Sequence, residues 1–285
     1  MLVKTTIRQI CNKLGYEITK KSALKTESIS NPNSVRSTYN NKSIQVHMFW
    51  AYGDLTNLEK LAVISFAENN FDLNLWTYGS IKNLPQGVLV RDAREIIPES
   101  RVFKYKNGSY AGFADLFRYA VLRERGGLWA DTDVICLCSA NDFKILGSEG
   151  FLVTERTGRS VQVNNNLIYH PNPTSGDIID LAFNVSDKYQ IDKLEWGDCG
   201  PVLLNTLVSN YPKLAPKIFA PDFANPVNWW DCPKKLLKEP HHLSDRTWFL
   251  HCFNERWRAL RIEKNICYPP KSILGNIVSK YAYHF

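Results

Sequence analysis

The chain has 285 residues, 44% hydrophobic and 22% charged, which suits a substantial buried core and excludes a disordered chain. Its net charge of +7 raises a nucleic-acid reading, but residues 1–43 hold eight basic and two acidic side chains while the rest hold 27 and 26. The body is close to neutral, so no phosphate-reading surface and no nucleic-acid partner are expected. No run approaches the ~18 apolar residues of a membrane span. Met1–Lys13 lacks the apolar core and cleavage site of a signal peptide. The seven cysteines are irregularly spaced and form no C-x-x-C pair, so buried thiols in a reducing cytosol are expected rather than a zinc site or disulfide framework.

Val3, Ile7, Ile10 and Leu14 fall at helical spacing, with Lys4, Arg8 and Lys13 off that stripe. This basic helix either packs on the body or attaches to an anionic membrane surface, where each basic residue adds roughly 1 kcal/mol. A polar stretch, Thr26 to Ser43, reads as a linker. The expected division is therefore 1–43, helix and linker, and 44–285, the folded body. The body opens on an apolar strand, Ile44–Trp50, followed by a helix over Asn57–Glu68 and strands at Asp72–Thr77 and Val88–Val90. That alternation predicts an α/β domain with a mainly parallel sheet.

The next helix precedes Gly126-Gly127, a helix stop where positive φ is wanted. On it Asp115 and Arg118 are three apart and therefore neighbours. Leu128–Ala130 reads as a strand and Val134–Leu137 as extended chain. Between them lies Asp131-Thr132-Asp133. In extended chain, side chains at i and i+2 point the same way, so both carboxylates can face one hard cation at the carboxyl end of a strand. From about Asn141 the pattern blurs. Frequent Pro and Trp between Pro221 and Trp257 suggest loop-built binding surface, and the faces of Trp229 and Trp230 suit either a sugar ring or the core.

The segment Ala114, Asp115, Arg118, Tyr119, Gly126, Gly127, Trp129, Asp131, Asp133 resembles glycosyltransferase family 32 and its relatives, including the glucosylating domains of large clostridial toxins. The strand holding His47 and Trp50, the Asn165-Asn166 strand, Gly200-Pro201 and the His251-x-x-Asn254-x-x-Trp257 segment extend the resemblance over about residues 44–260. It implies a GT-A type glycosyltransferase fold, a single Rossmann-like mixed sheet flanked by helices. It also implies retaining transfer of a hexose or N-acetylhexosamine from a nucleotide sugar, UDP-linked, with Mn²⁺ or Mg²⁺. The acceptor would be a glycan or lipid-linked oligosaccharide in surface polysaccharide synthesis, such as capsule or O-antigen. The enzyme would be cytoplasmic, peripheral at the inner face of the cytoplasmic membrane.

By the same resemblance Asp133 ligates the ion directly and Asp131 binds through water, the ribose or the sugar. His251 or Asn254 completes the ion shell from the C-terminal side. Arg118 binds the sugar or diphosphate, Asp115 accepts hydrogen bonds from sugar hydroxyls, and Trp50 stacks on the base. His47, Tyr119, Trp129 and Asn165 join the donor site. Two other readings are a toxin-like protein glycosyltransferase and an inactive nucleotide-sugar-binding module.

Overall fold

The computed structural model describes residues 26–27, 43–189, 191–238 and 242–284. The amphipathic helix expected at residues 3–14 and most of the expected linker lie outside them. Glu27, inside them, pairs in parallel with Phe219. Its N–H donates to Ile218 O at 2.7 Å, and its carbonyl accepts from Ala220 N–H at 2.9 Å. At Glu27, among the described residues, the stretch expected to be a linker is attached to the body.

The fold begins with β1 (Gln45–Phe49), α1 (Asn57–Glu68), β2 (Asp72–Thr77) and β3 (Leu89–Asp92). It continues with α2 (Ala111–Arg125), β4 (Gly127–Ala130), β5 (Val134–Cys136), α3 (Ala140–Phe143), β6 (Phe151–Thr157) and β7 (Ser160–His170). Then come α4 (Ile178–Ser186), α5 (Pro201–Asn210), β8 (Lys217–Phe219), α6 (Lys234–Leu237), β9 (Phe249–His251), α7 (Asn254–Ala259) and α8 (Ile273–Val278). Seven strands form one sheet in the order β3-β2-β1-β4-β7-β6-β8. All its pairings are parallel except β4–β7 and β6–β7, so β7 alone runs against the rest. This is the mainly parallel, mixed α/β sheet the sequence led us to expect.

Alternation along β1 places its side chains on two faces. Val46 and Met48 pack with Leu73, Leu75 and, from α1, Val63 and Phe66. Phe49 packs on the other face with Phe113 and Phe117 of α2. Phe49 and Phe117 stack with ring centroids 4.5 Å apart. Burying each such ring contributes about 1.5–3 kcal/mol, so helices are held on both faces of the sheet.

Two glycines let α2 turn into β4. Gly126 and Gly127 have φ of +68° and +95°. A Cβ on Gly127 would lie 2.7 Å from the Gln45 carbonyl oxygen, so β4 approaches β1 closely only without a side chain there. The chain then leaves the large sheet. β5 pairs with β9 in a separate antiparallel ribbon, matching Val134 with His251. A further core of Leu58 and Leu61 of α1 with Leu250, Trp257 and Leu274 docks this C-terminal region against α1.

Five cysteines (136, 138, 199, 232, 252) are buried, as expected, whereas Cys267 is exposed; Cys11 lies outside the described residues.

Candidate active site

The switch between sheets makes Asp131-Thr132-Asp133 a turn rather than the expected extended segment, closed by Val134 N–H donating to Asp131 O at 2.9 Å. Asp131 is tied to the large sheet, its N–H donating to Asn166 O at 2.9 Å on β7. Asp133 is tied to the small one, its carbonyl accepting from Cys252 N–H at 2.9 Å. The β5–β9 pairing carries His251 to the same place. One ligand atom from each of Asp131, Asp133 and His251 lies within 4.8 Å of the others.

His251 Nε2 is 3.5 Å from Asp133 Oδ2, and its Nδ1 is 3.0 Å from Asn225 Oδ1. Asn225 Nδ2 donates to Thr154 O at 3.0 Å, which leaves Oδ1 as the acceptor. Nδ1–H of the imidazole is therefore the donor to Asn225, and Nε2 faces the two carboxylates; with a cation bound among them, the neutral ring would offer it the Nε2 lone pair. Two carboxylate oxygens and an imidazole nitrogen suit Mn²⁺ or Mg²⁺, so these residues fit a divalent cation.

Charge around the trio is balanced by neighbours. Burial works to raise Asp133, but the charge of His251, its hydrogen bond and the Asn254 N–H outweigh it and hold the carboxyl below its usual range. Burial raises Asp131, with Arg118 opposing. Burial works against charging His251, yet Asp133 and then Asp131 lift it above its ordinary value. Arg118 Nη2 donates to Asp131 Oδ1 at 2.6 Å, and Trp129 Nε1 donates to the same oxygen at 2.8 Å.

Asp115 and Arg118 are a buried pair, not a surface one. Arg118 Nη1 lies 2.9 Å from Asp115 Oδ1, close enough for an ion pair but not aligned for a hydrogen bond. Burial pushes Asp115 up to about 6, with Arg118 partly opposing it. Asn165 Nδ2 donates to Asp115 Oδ1 at 2.8 Å. Gly200 closes this corner: a Cβ there would lie 2.8 Å from Asp115 Oδ2 and 2.9 Å from Asn165 Nδ2.

All of this opens on one cleft of about 1440 Å³. Trp50, Asp115, Arg118, Trp129, Asn165 and the Asp131–Asp133–His251 trio line it. So do Trp229 and Trp230, which are 40% and 39% exposed and meet edge to face at 5.7 Å, so they sit at the rim rather than in the core. His47 and Tyr119 do not line it. His47 accepts from Trp76 Nε1 at 3.1 Å and contacts Gly126 O at 3.1 Å; the Tyr119 hydroxyl donates to Cys199 O at 2.9 Å. Both are buried supports beneath the site.

The side chain of Asn254 is directed away from the trio. Its Nδ2 donates to Glu59 Oε1 at 2.9 Å and its Oδ1 accepts from Lys264 Nζ at 2.8 Å, while its backbone N–H donates to Asp133 Oδ2. Phe253 before it is left-handed, with φ 51° and ψ 63°, which costs a non-glycine residue about 1–2 kcal/mol and must be held by its surroundings. Asn225, Glu59, Lys264, Trp196 and the buried, cleft-lining Glu155 were missed by sequence reasoning. Gly200 was legible only as part of the Gly200-Pro201 helix start, with no sign that it abuts Asp115 and Asn165.

No curated protein matches the chain. Among solved structures, the glycosyltransferase GlyE of Streptococcus pneumoniae TIGR4 is similar at 17% identity and TM-score 0.45, over 85% of this chain and 61% of that one. The PaToxG glycosyltransferase is similar at 17% identity and TM-score 0.39, over 74% and 79%. Mouse xyloside xylosyltransferase 1 is similar at 11% identity and TM-score 0.41, over 75% and 99%. Residues 3–151, just over half of the chain, match the glycosyltransferase sugar-binding region containing the DXD motif. That match includes α2, the glycine pair and Asp131-Thr132-Asp133, and by it the chain belongs to this glycosyltransferase family.

Proposed function

We propose that the protein is a divalent-cation-dependent, retaining glycosyltransferase. It moves a hexose or N-acetylhexosamine from a UDP-linked sugar to a glycan or lipid-linked oligosaccharide in surface polysaccharide synthesis. The observation that carries this reading is the convergence of Asp131, Asp133 and His251 on one cleft beside the buried Asp115–Arg118 pair. Asp133 and His251 would hold Mn²⁺ or Mg²⁺ with Asp131, and the bound cation supplies neutralising charge for the departing diphosphate.

The chain's own groups do the positioning. Trp50, half-buried at the end of β1, offers its ring to the base. Asp115, fixed by Asn165, accepts hydrogen bonds from donor-sugar hydroxyls. Arg118, held between Asp115 and Asp131, adds positive charge beside the sugar and diphosphate. Trp229 and Trp230 present aromatic faces to an acceptor sugar at the rim. No helix among the described residues is long and apolar enough to cross a membrane. In this proposal the basic residues 1–43 hold the catalytic domain, 44–285, at an anionic leaflet.

The test is a screen of UDP- and GDP-sugars for hydrolysis with Mn²⁺ and with Mg²⁺. Cation-dependent release of UDP from one UDP-sugar, with the anomeric configuration kept, is the expected result. Tight nucleotide binding without turnover would favour a binding module, and sugar found on a protein acceptor would favour a protein-modifying enzyme.

A further inference from the structure

Glu59 is a carboxylate with no exposed surface, one turn into α1 and outside the cleft lining. One of its oxygens, Oε2, serves the helix start, accepting from Thr56 N–H at 2.9 Å and from the Thr56 hydroxyl. That is ordinary capping. The other, Oε1, does something capping does not need. It pairs with Lys264 Nζ and accepts from Asn254 Nδ2 at 2.9 Å. Lys264 Nζ also donates to Asn254 Oδ1 at 2.8 Å, so the three side chains close a ring of contacts.

Two ends of this ring reach the cleft. Through Asn254 it fixes the backbone N–H that donates to Asp133 Oδ2. Through Lys264 it reaches Trp50, whose ring centre is 5.9 Å from Nζ. The same end of α1 is stitched to the C-terminal segment again at Asn57, whose N–H donates to Asn265 Oδ1 at 3.0 Å. The left-handed Phe253 lies immediately before the anchored residue, where the chain needs holding.

We infer that Glu59 is a positioning residue for the cation site: by anchoring Asn254 and Lys264 it keeps the Asn254 N–H on Asp133 and so sets the carboxylate's orientation for a divalent ion. This rests on the reading of Asp131, Asp133 and His251 as a cation site. The Asn254 N–H is the direct outer partner of Asp133, and loss of partners of that kind commonly changes metal affinity by about 10–100-fold.

The experiment is titration of the metal-free, full-length protein with Mn²⁺ alone, followed by electron paramagnetic resonance of free Mn²⁺, for wild type, Glu59→Gln and Glu59→Asp. Thermal unfolding of each variant is followed alongside. The glutamine keeps the shape and loses the charge; the aspartate keeps the charge and loses the reach. Both should fold cooperatively and both should bind Mn²⁺ about 10–100-fold more weakly. Wild-type affinity in both variants would overturn the inference. So would loss in the glutamine variant alone, which is a through-space charge effect, or failure of both to fold, which is a purely structural role. Failure of the wild type itself to bind Mn²⁺ would instead remove the cation-site reading beneath it.

Discussion

Asp133 is held from two chain segments far apart in sequence, by His251 Nε2 and by the Asn254 N–H. An uncharged residue there leaves the imidazole and the amide without their common partner and the cation with fewer ligands. Asp133→Ala should reduce donor hydrolysis by about 10³-fold or more while Tm changes by only a few degrees, measured by coupled UDP release and calorimetry. Gly200 acts by being small. Gly200→Ala must displace Asp115 or Asn165, and misplacement of a binding group by about 1 Å costs up to about 100-fold in rate. A drop of about 10–100-fold in kcat/KM with stability nearly unchanged is expected, and wild-type kinetics would mean that this corner does not hold the sugar.

The Asp115–Arg118 neighbours and the two motif carboxylates were legible because their partners lie within one helix or one turn. Glu59 and Lys264 were not, because docking of the C-terminal region on α1 brings them together, nor was Asn225, which reaches His251 from a loop tied to β6 at Thr154. Asn254 was legible as belonging to the site, but the sequence carried no sign that its side chain would be taken by Glu59 and Lys264.

At the scale of elements, β1, α2 and β4 form the frame of the site. Their order was readable from hydrophobic periodicity and the glycine pair. The turn at Asp131–Asp133 was not, since nothing local says that the next strand joins a different sheet. Gly127→Ala combines a positive φ with a 2.7 Å approach to the Gln45 carbonyl, and should cost about 2 kcal/mol or more by urea unfolding.

The frame also carries a pH dependence. Burial lowers His47 of β1 from 6.5 to about 4, with the Gly126 hydrogen bond opposing. The folded value lies below the unfolded one, so the unfolded chain takes up the proton first. This stability is therefore fully present above pH 6.5 and is lost as pH falls through about 4, a span worth about 3 kcal/mol. His47→Gln should flatten the stability–pH curve between pH 6.5 and 4; an unaltered slope would show that another group carries it.

For the whole molecule, nearly all of the net charge lies on residues 1–43, ahead of a body that is close to neutral. Deleting 1–43 should abolish cosedimentation with vesicles containing anionic lipid; unchanged cosedimentation would show that the arm is not the membrane contact. Because Glu27 is paired to the edge of the large sheet at Phe219, that deletion also removes one sheet contact, so its Tm belongs beside the vesicle result. The central claim is that one strand pairing, β5 with β9, assembles Asp131, Asp133 and His251 into a single cation site in a donor cleft. Its most direct test is Mn²⁺ binding by electron paramagnetic resonance, with and without UDP, in wild type and in the Asp133→Ala and His251→Ala variants. One Mn²⁺ per wild-type chain, bound more tightly with UDP and lost in both variants, is the expected result; undiminished binding in the variants would contradict it.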